Sequence, residues 1–250
     1  MRLVTALVMA GLLAGVNEAA AQTDESRFFL SVSGAFEPGS QTYADDGTFS
    51  LYDETGRLSV SSDDISSGAV LDFGVGVRVM GNFTLGANFH RTTSLAEASV
   101  SGQAPHPIFF SRPRSFSATV PDMKRTEQAL HLSLGYRLAL GEKLDVQIYG
   151  GPSQFRFTQD VVNSVVISEA GSAFTTVNVT NQSTTRKANA WGGHVGADVS
   201  YPVYRSGTTS FRLGGYVRYA EASSDFLVVS NSVTTKIGGV QFGGGLRVRF

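Results

Sequence analysis

A histidine, a serine and a carboxylate occur at a spacing that would allow nucleophilic catalysis on a β-strand. His131 and Ser133 are two residues apart, and Glu127 lies four residues before the histidine. Successive side chains of a strand point to opposite faces, so the three residues share one face if this segment is a strand. A serine becomes a nucleophile only when a base lies within hydrogen-bond reach. Whether these residues can act therefore depends on the element that carries them and on the solvent that its face meets.

Other sequence signatures of catalysis and cofactor binding are absent from the chain. There is no Cys-x-x-Cys, His-Glu-x-x-His, P-loop or Gly-x-Ser-x-Gly motif, and no cysteine at all. Gly74-Val75-Gly76 lies inside an alternating segment and does not open a helix, as a nucleotide-binding loop would. The formal net charge of −1 provides no basic field for a nucleic acid. We therefore predict no cofactor, no metal site and no nucleic-acid partner.

The composition is unusual for a soluble enzyme. Charged residues make up 16% of the chain, against roughly 25% in an average soluble domain. Glycine is abundant, at 28 of 250 residues, and the mean hydropathy is +0.00. No apolar run reaches the length of about 18 residues that indicates a transmembrane helix. These values exclude a helical membrane protein and favour a fold other than that of an ordinary soluble enzyme.

The N-terminus has the pattern of a secretory signal peptide. A basic residue is followed by an apolar stretch at residues 3–16 and by the small-residue motif Ala19-Ala20-Ala21. A membrane anchor is the alternative, but the stretch is shorter than the ~20 residues that span a hydrocarbon core. The absence of cysteine excludes a lipoprotein. We predict a signal peptide at residues 1–21, cleavage between Ala21 and Gln22, and a single domain at residues 22–250.

The rest of the chain alternates between apolar and polar or small residues. In one segment Leu71, Phe73 and Val75 alternate with Asp72 and Gly74. A period of two is the signature of a β-strand, and a tilted strand needs about 9–11 residues to cross a bilayer. The same pattern predicts eight strands, at residues 28–36, 69–80, 83–90, 130–138, 144–149, 191–201, 210–219 and 240–250.

The connections between these strands alternate in length. Three are short, at Gly81, at Leu140-Gly141-Glu142 and at Arg205-Ser206-Gly207. An even number of antiparallel strands with short turns at one end and long loops at the other is typical of an outer-membrane barrel. The sequence thus predicts an all-β, eight-stranded, up-and-down transmembrane barrel. Its long extracellular loops lie at residues 37–67, 93–122, 158–185 and 222–235.

The polarity of the two strand faces indicates which face meets lipid. Large apolar residues such as Leu132, Val195 and Leu213 occupy one face, and glycine, serine and charged residues occupy the other. Glycine and serine could not build a dense apolar core, whereas they suit the narrow interior of an eight-stranded barrel. A soluble lipocalin-like barrel, which also alternates, is the alternative with the opposite orientation. We predict that the apolar face meets lipid.

The chain resembles the small bacterial outer-membrane barrels, the opacity-protein, OmpA-like and OmpX-like group. The resemblance covers the signal peptide, the eight strands and the C-terminal segment Gly243-Gly244-Gly245-Leu246-Arg247-Val248-Arg249-Phe250. In such families a C-terminal aromatic residue is the signal for the barrel-assembly machinery. The resemblance therefore implies that Phe250, with Val248 and Leu246, carries this signal. It also implies a bacterial outer-membrane location, in contact with lipid and lipopolysaccharide.

The polar face brings opposite charges together inside the predicted barrel. Centring the short turns on Gly81, Gly141 and Arg205 places Asp72 opposite His90, Arg78 opposite Thr84, Arg137 opposite Asp145 and Asp198 opposite Arg212. Unpaired ions inside a narrow barrel are costly. We predict a network that closes the lumen, and the alternative is a wet pore that weakly repels cations. The network consists of Asp72, Arg78, His90, Glu127, Arg137, Asp145, Asp198, Arg212, Arg218, Arg247 and Arg249.

The predicted loops carry the features expected of binding surfaces. The loop at 37–67 is strongly acidic, that at 93–122 contains the apolar Ile108-Phe109-Phe110, and that at 158–185 has the pattern of a projecting hairpin. An acidic loop could bridge divalent cations or repel anionic partners, and the simpler alternative is a solvated surface that avoids aggregation. The second loop could pack over the barrel mouth or contact a partner.

These observations lead to three hypotheses about function. The first is a monomeric, non-enzymatic barrel that supports membrane integrity or adhesion, with an extracellular ligand or host surface bound by the loops. The second is a small passive channel. The third is a lipid-modifying enzyme, because some outer-membrane barrels of that kind use a histidine, a serine and a carboxylate. The alternation places His131 and Ser133 inside, away from lipid, and Leu134 and Gly135 follow where the deacylase family has an asparagine.

Overall fold

Eleven antiparallel strands make up the computed structural model, which describes residues 26–38, 43–63, 68–140, 143–171, 174–229 and 231–250. The predicted signal peptide and its cleavage site at Ala21–Gln22 lie outside these residues. Among the described residues no helix is long and apolar enough to cross a membrane. The strands are β1 (Phe28–Glu37), β2 (Tyr43–Leu51), β3 (Glu54–Asp63), β4 (Gly68–Met80), β5 (Phe83–Ala104), β6 (Arg114–Leu140), β7 (Leu144–Ala170), β8 (Thr176–Ser206), β9 (Thr209–Leu227), β10 (Ser232–Ile237) and β11 (Val240–Arg249).

Eight of these strands close into a ring. The first strand, β1, pairs with β4 on one side and with the last strand, β11, on the other, both antiparallel. The ring continues from β4 through β5, β6, β7, β8 and β9 back to β11. Closure satisfies the backbone hydrogen bonds that lipid cannot satisfy. The predicted eight-stranded antiparallel barrel is confirmed.

Three further strands lie outside the ring, at the end opposite the short turns. β2 and β3 form a hairpin whose second strand pairs with the upper part of β5. β10 pairs with the upper part of β9. Much of the predicted first and fourth loops is therefore strand.

The barrel strands are much longer than the sequence pattern indicated. β8 has 31 residues and β6 and β7 have 27 each, whereas about 9–11 are enough to cross a bilayer. The predicted boundaries of these strands and the long loops at 93–122 and 158–185 are therefore wrong, because β5–β6 and β7–β8 continue as paired strands. The projecting hairpin predicted in the third loop is present, with β7 ending at Ala170 and β8 beginning at Thr176.

The part of the barrel nearer the short turns is apolar outside and polar inside. We call it the lower barrel, and it extends up to the outward-facing Phe89 and Trp191. Its outward residues are exposed, with Leu132 at 50%, Val195 at 47% and Leu213 at 54% of their full accessibility. The inward Arg212, by contrast, is buried. The predicted orientation of the two faces is confirmed here, and the soluble alternative is excluded for this part of the wall.

Above that level the polarity of the wall is reversed. We call this part the upper barrel. Ser99 and Thr119 point outward and are exposed, while Val100 and Phe157 point inward and are fully buried. The inward side chains form one apolar core, which includes Tyr43, Leu58, Val60, Ala98, Val100, Phe116, Met123, Phe155, Phe157, Val161, Ala220, Phe226, Val228 and Ile237. A wall with water outside and an apolar interior is the arrangement of a soluble barrel, which the sequence pattern did not predict for this region.

Two of the short turns depend on glycine. Gly81 between β4 and β5 has a φ of +53°, and Gly207 between β8 and β9 has a φ of +57°. Left-handed backbone of this kind is unfavourable for residues with a Cβ atom. The third predicted turn includes Gly141 and Glu142, which lie outside the described residues.

Candidate functional site: the lumen and the apical tips

Asp145 is the centre of the largest ionic cluster in the lower barrel. Its Oδ2 atom lies 3.1 Å from Arg137, 2.5 Å from Arg212 and 2.7 Å from Arg249. The three arginines come from β6, β9 and β11, while Asp145 comes from the start of β7. All four side chains are at least 87% buried. One carboxylate thus links four strands across the lumen.

Two further ion pairs lie in the same lumen. Arg218 of β9 binds Asp72 of β4 at 2.7 Å, and Asn88 also donates to Asp72 at 3.2 Å. Arg247 of β11 binds Asp198 of β8. The structure therefore brings together most of the residues that were predicted to meet inside the barrel.

The strand register differs from the prediction at two of the three turns. The β4–β5 pairing places Asp72 opposite His90 and Arg78 opposite Thr84, as predicted. Arg137 and Asp198 instead lie opposite Gln147 and Tyr216.

These two errors have a common cause in the position of the turns. The β6–β7 pairing ends with Leu140 opposite Leu144, and the β8–β9 pairing ends with Ser206 opposite Thr209. Both turns are centred later in the sequence than we predicted. Arg137 still reaches Asp145 diagonally, whereas Asp198 and Arg212 take different partners.

Three histidines and two serines form a hydrogen-bonded chain near the top of the lower barrel. His90 Nδ1 lies 2.9 Å from His131 Nε2, and His131 Nδ1 lies 2.7 Å from Ser153 Oγ. Ser153 Oγ then lies 2.9 Å from His194 Nδ1, and His194 Nε2 lies 2.9 Å from Ser133 Oγ. Both His90 and His131 are completely buried. His194 and Ser153 were not predicted as part of this site. The alternation along the strand places His194 on the inward face and could have indicated it.

The predicted catalytic residues do not form the expected arrangement. His131 bonds to Ser153, while Ser133 bonds to His194. Glu127 accepts hydrogen bonds from Arg125 and from the backbone of Gly238 instead. Both His131 and Ser133 are buried inside the closed wall. Within the described ranges, no group of three or more His, Cys, Asp or Glu side chains has the geometry of a metal site.

The lumen is closed where the polar lower barrel meets the apolar upper core. Arg125 bonds to Glu127, and its guanidinium lies 4.6 Å above the ring of Phe157. Phe155 and Phe157 are fully buried at this level, and Phe155 packs against the ring of His131. Sequence analysis placed Glu127 in the lower network, but its partner is Arg125, which the prediction did not include. This ion pair therefore belongs to the boundary between the two parts of the barrel.

The acidic first loop is in part structural. Asp45 of β2 is buried, and its carboxylate accepts a hydrogen bond from the backbone of Val229 at 2.8 Å. The same carboxylate binds the side chain of Asn231 at 2.8 Å. Asp45 thus attaches the β2–β3 hairpin to the segment between β9 and β10.

The tips of three hairpins are joined at the far end of the upper barrel. Arg114 binds the carboxylate of Glu169 and donates to the backbone oxygens of Pro105, at 2.6 Å, and Phe174, at 2.9 Å. Tyr52 donates to Glu169 at 2.8 Å. We call this group the apical clasp. Because Arg114 donates to it, the pKa of the Glu169 carboxyl lies below its usual value, and the bond from Tyr52 acts in the same direction.

Acidification is expected to open the apical clasp only at pH values below the usual pKa of a glutamate. The folded-state pKa of Glu169 is lower than that of the unfolded chain, so its contribution is present above the unfolded pKa, about 4.3 for glutamate. The contribution is lost as the pH falls through the folded pKa. Amide exchange of residues 105–113, corrected for its intrinsic pH dependence, measures this opening. In Glu169→Gln the increase in exchange at low pH should disappear. An increase near pH 6 in the wild-type protein would contradict the assignment.

An apolar tip projects beyond the apical clasp. Ile108, Phe109 and Phe110 are 63%, 52% and 79% exposed. The ring of His106 accepts hydrogen bonds from the backbone of Ile108 and Phe109, at 3.1 and 3.2 Å. The Arg112 guanidinium lies 5.6 Å from the centre of the Phe109 ring. The predicted apolar segment therefore stands free of the barrel mouth, with a defined local structure.

The architecture and polarity of the wall now identify the type of protein. An even-numbered antiparallel ring, short turns at one end and an apolar band on the outside of the lower barrel are the features of outer-membrane barrels. The protein has the fold of an outer-membrane β-barrel. The outward Phe83 and Tyr136 near the short turns, and Phe89 and Trp191 at the other edge of the band, lie where interfacial aromatic residues occur.

No family model and no curated protein sequence matches the chain. Solved structures similar to it include Neisserial surface protein A, with 11% identity and a TM-score of 0.44 over 89% of this chain and 97% of that one. OprG from Pseudomonas aeruginosa has 10% identity and a TM-score of 0.40 over 90% and 96%. The protease OmpT from Escherichia coli has 11% identity and a TM-score of 0.41 over 93% and 99%. At these identities the similarity concerns the fold alone.

Proposed function

We propose that this protein is a closed, non-enzymatic barrel that makes surface contacts through its apolar tip. The observation that carries the proposal is the exposure of Ile108, Phe109 and Phe110 at the end of the upper barrel. An exposed cluster of large apolar residues on an otherwise polar surface marks a contact site. The apolar core and the apical clasp hold this cluster in place. The upper barrel thus serves as a support that presents the tip far from the membrane.

Adhesion of cells that display the protein tests this proposal. The double substitution Phe109→Ser and Phe110→Ser should abolish most of the adhesion or cell–cell aggregation that the wild-type protein confers. Val166→Ser is the matched control, because Val166 is 49% exposed on β7 of the upper barrel but lies outside the tip. Equal surface display is verified for each variant. Adhesion that is unchanged in the double variant, or equally reduced in Val166→Ser, contradicts the proposal.

The filled lumen supports a structural barrel over a passive channel. Residues at successive levels of the interior are fully buried, from Arg212 and Arg218 through His90 to Phe155 and Phe157. We therefore expect no steady open conductance when the purified protein is reconstituted in planar bilayers at neutral pH. Steady, uniform conductance steps would favour the channel instead.

The inward position of the histidines and serines argues against a lipid-modifying reaction. His131 and Ser133 lie behind a wall whose outer face contacts lipid, so an acyl chain has no direct path to them. An assay of lipid A from expressing cells should show no modification that depends on Ser133.

Assembly and export complete the proposal. We propose that residues 1–21 are removed at Ala21–Gln22, and that Phe250, Val248 and Leu246 present the signal to the barrel-assembly machinery. Phe250 stacks on Phe28 with ring centres 6.0 Å apart, and the two backbones exchange hydrogen bonds at the seam of the ring. Val248 and Leu246 lie outward beside it on β11, towards lipid, and we propose that lipopolysaccharide contacts the opposite edge of the apolar band, nearer the upper barrel. In the lower barrel the ring is complete and leaves no strand edge to pair with a second copy, which supports a monomer within the membrane.

A further inference from the structure

A polar cavity occupies the lower lumen, between the short-turn end and the histidine chain. Its volume is about 70 Å³, enough for several water molecules or one small polyatomic ion. Ser26 and Arg27 line it at the end near the short turns, where Ser26 donates to the backbone of Thr208. The cavity therefore opens towards the periplasmic side of the barrel. Its charged lining residues, among those described, are Arg27, Arg78, Arg137, Arg218, Arg247, Arg249, Asp72 and Asp198.

The cationic side chains around this cavity outnumber the carboxylates. The lining contains six arginines and two aspartates. Asp145 adds a third carboxylate behind the lining, but it is shared by Arg137, Arg249 and the further Arg212. Arg27 is exposed to solvent, but even without it the described part of the lower lumen holds six arginines against three aspartates. Surplus charge in a low-dielectric enclosure is costly unless an ion of the opposite sign neutralises it.

One residue that lines this cavity is a tyrosine whose hydroxyl has no hydrogen-bond partner among the described residues. Tyr216 lines the cavity and is 91% buried, and its hydroxyl has no hydrogen-bond partner among the described residues. The ring lies against Gly243, where an added Cβ would come within 2.4 Å of it, and the Arg218 guanidinium lies 5.3 Å from its centre. The ring is therefore held in place beside a cation. Buried hydroxyls are normally hydrogen-bonded, so this donor indicates a bound polar group.

We propose that the lower lumen binds a small oxyanion of the phosphate class that enters from the periplasm. Arg78 and Arg218 supply positive charge at the cavity, and Tyr216 donates a hydrogen bond. Guanidinium groups match the oxygens of a tetrahedral oxyanion better than they match a halide. The continuous strand pairing of the ring separates the cavity from lipid, which favours a free ion over a phospholipid headgroup. This site lies at the opposite end of the barrel from the apolar tip and does not depend on the proposed surface contacts.

Thermal unfolding in an uncharged detergent tests the site. Inorganic phosphate is titrated at constant ionic strength, with chloride as the balancing anion, so that general screening does not change. The unfolding midpoint of the wild-type protein should rise and saturate, since a ligand that binds only the folded state stabilises it. Tyr216→Phe should weaken the apparent affinity about tenfold, as expected for the loss of one hydrogen bond to a charged group.

Tyr216→Phe also distinguishes an effect on phosphate binding from an effect on folding. Since the Tyr216 hydroxyl has no described partner, Tyr216→Phe should keep the wild-type midpoint without phosphate. Arg78→Gln provides a second variant and should also weaken the affinity about tenfold. Tyr43→Phe, in the apolar core of the upper barrel, and Arg156→Gln, on its outer surface, are the matched controls and should bind phosphate as the wild type does.

Three results would overturn the inference. The first is a wild-type midpoint that does not saturate with phosphate at constant ionic strength. The second is an affinity that is the same in wild type, Tyr216→Phe and Arg78→Gln. The third is a saturable shift with micelles of an anionic phospholipid but none with inorganic phosphate, which would assign the cavity to a headgroup.

Discussion

Asp145→Asn is expected to destabilise the barrel by about 3–5 kcal/mol, the cost of removing one partner from a buried ion pair. Asp145 is the shared partner of Arg137, Arg212 and Arg249, whose side chains are 13%, 1% and 9% exposed. An amide cannot neutralise three cations, so the substitution leaves buried charge uncompensated. Urea unfolding of the protein in lipid, followed by the fluorescence of Trp191, the single tryptophan, measures the free energy of unfolding.

The matched control is an ion pair on the outside of the wall. Glu221 and Lys236 lie 3.1 Å apart, with side chains 38% and 75% exposed. Glu221→Gln removes the same charge in water and should change the free energy of unfolding by only about 0–1 kcal/mol. If Asp145→Asn is no more destabilising than Glu221→Gln, then Asp145 does not organise the lumen as described.

Phe157→Ala is expected to cost about 3–5 kcal/mol, the usual effect of deleting a buried aromatic side chain. Phe157 is fully buried in the apolar core of the upper barrel, and its ring also lies beneath the Arg125 guanidinium. Its loss leaves a cavity above the lumen and removes the cation–π contact at the boundary between the two parts. The same unfolding measurement applies.

The control for this substitution is the same chemical change at the tip. Phe109 is 52% exposed and lies outside the core, so Phe109→Ala should change stability by less than about 0.5 kcal/mol. A large difference between the two variants is expected only if the upper barrel has a packed interior. Equal effects would mean that the upper strands enclose no core.

The lower barrel could be predicted from the sequence because its pattern has a direct physical cause. A strand between lipid and a narrow polar lumen must alternate apolar with polar or small residues. Leu71 and Phe73 face the lipid, and Asp72 and Gly74 face the lumen. Gly81 marked one turn closely enough to give the register of β4 and β5. The later turns lacked such a marker, since Gly207 rather than Arg205 has the left-handed backbone of the β8–β9 turn.

The upper barrel could not be predicted because alternation does not say which face meets water. Ser99 and Val100 alternate as the lower strands do, but here the polar residue is outside. The polarity of the two faces reverses at the level where the outer face of the wall ceases to contact lipid. The position of that level is a property of the surroundings and not of the local sequence. The histidine chain was missed for a related reason. His90, His131 and His194 come from three strands, and only the closed ring brings them together.

Chemical labelling of single cysteines tests the reversal of wall polarity most directly, because the protein has no cysteine of its own. Ser99→Cys, Val100→Cys and Leu132→Cys are displayed on intact cells and treated with a membrane-impermeant maleimide. We predict rapid labelling at position 99, and little at 100 and 132, which face the core and the lipid. Labelling at 100 as fast as at 99, or rapid labelling at 132, would contradict a barrel that faces lipid below and encloses an apolar core above.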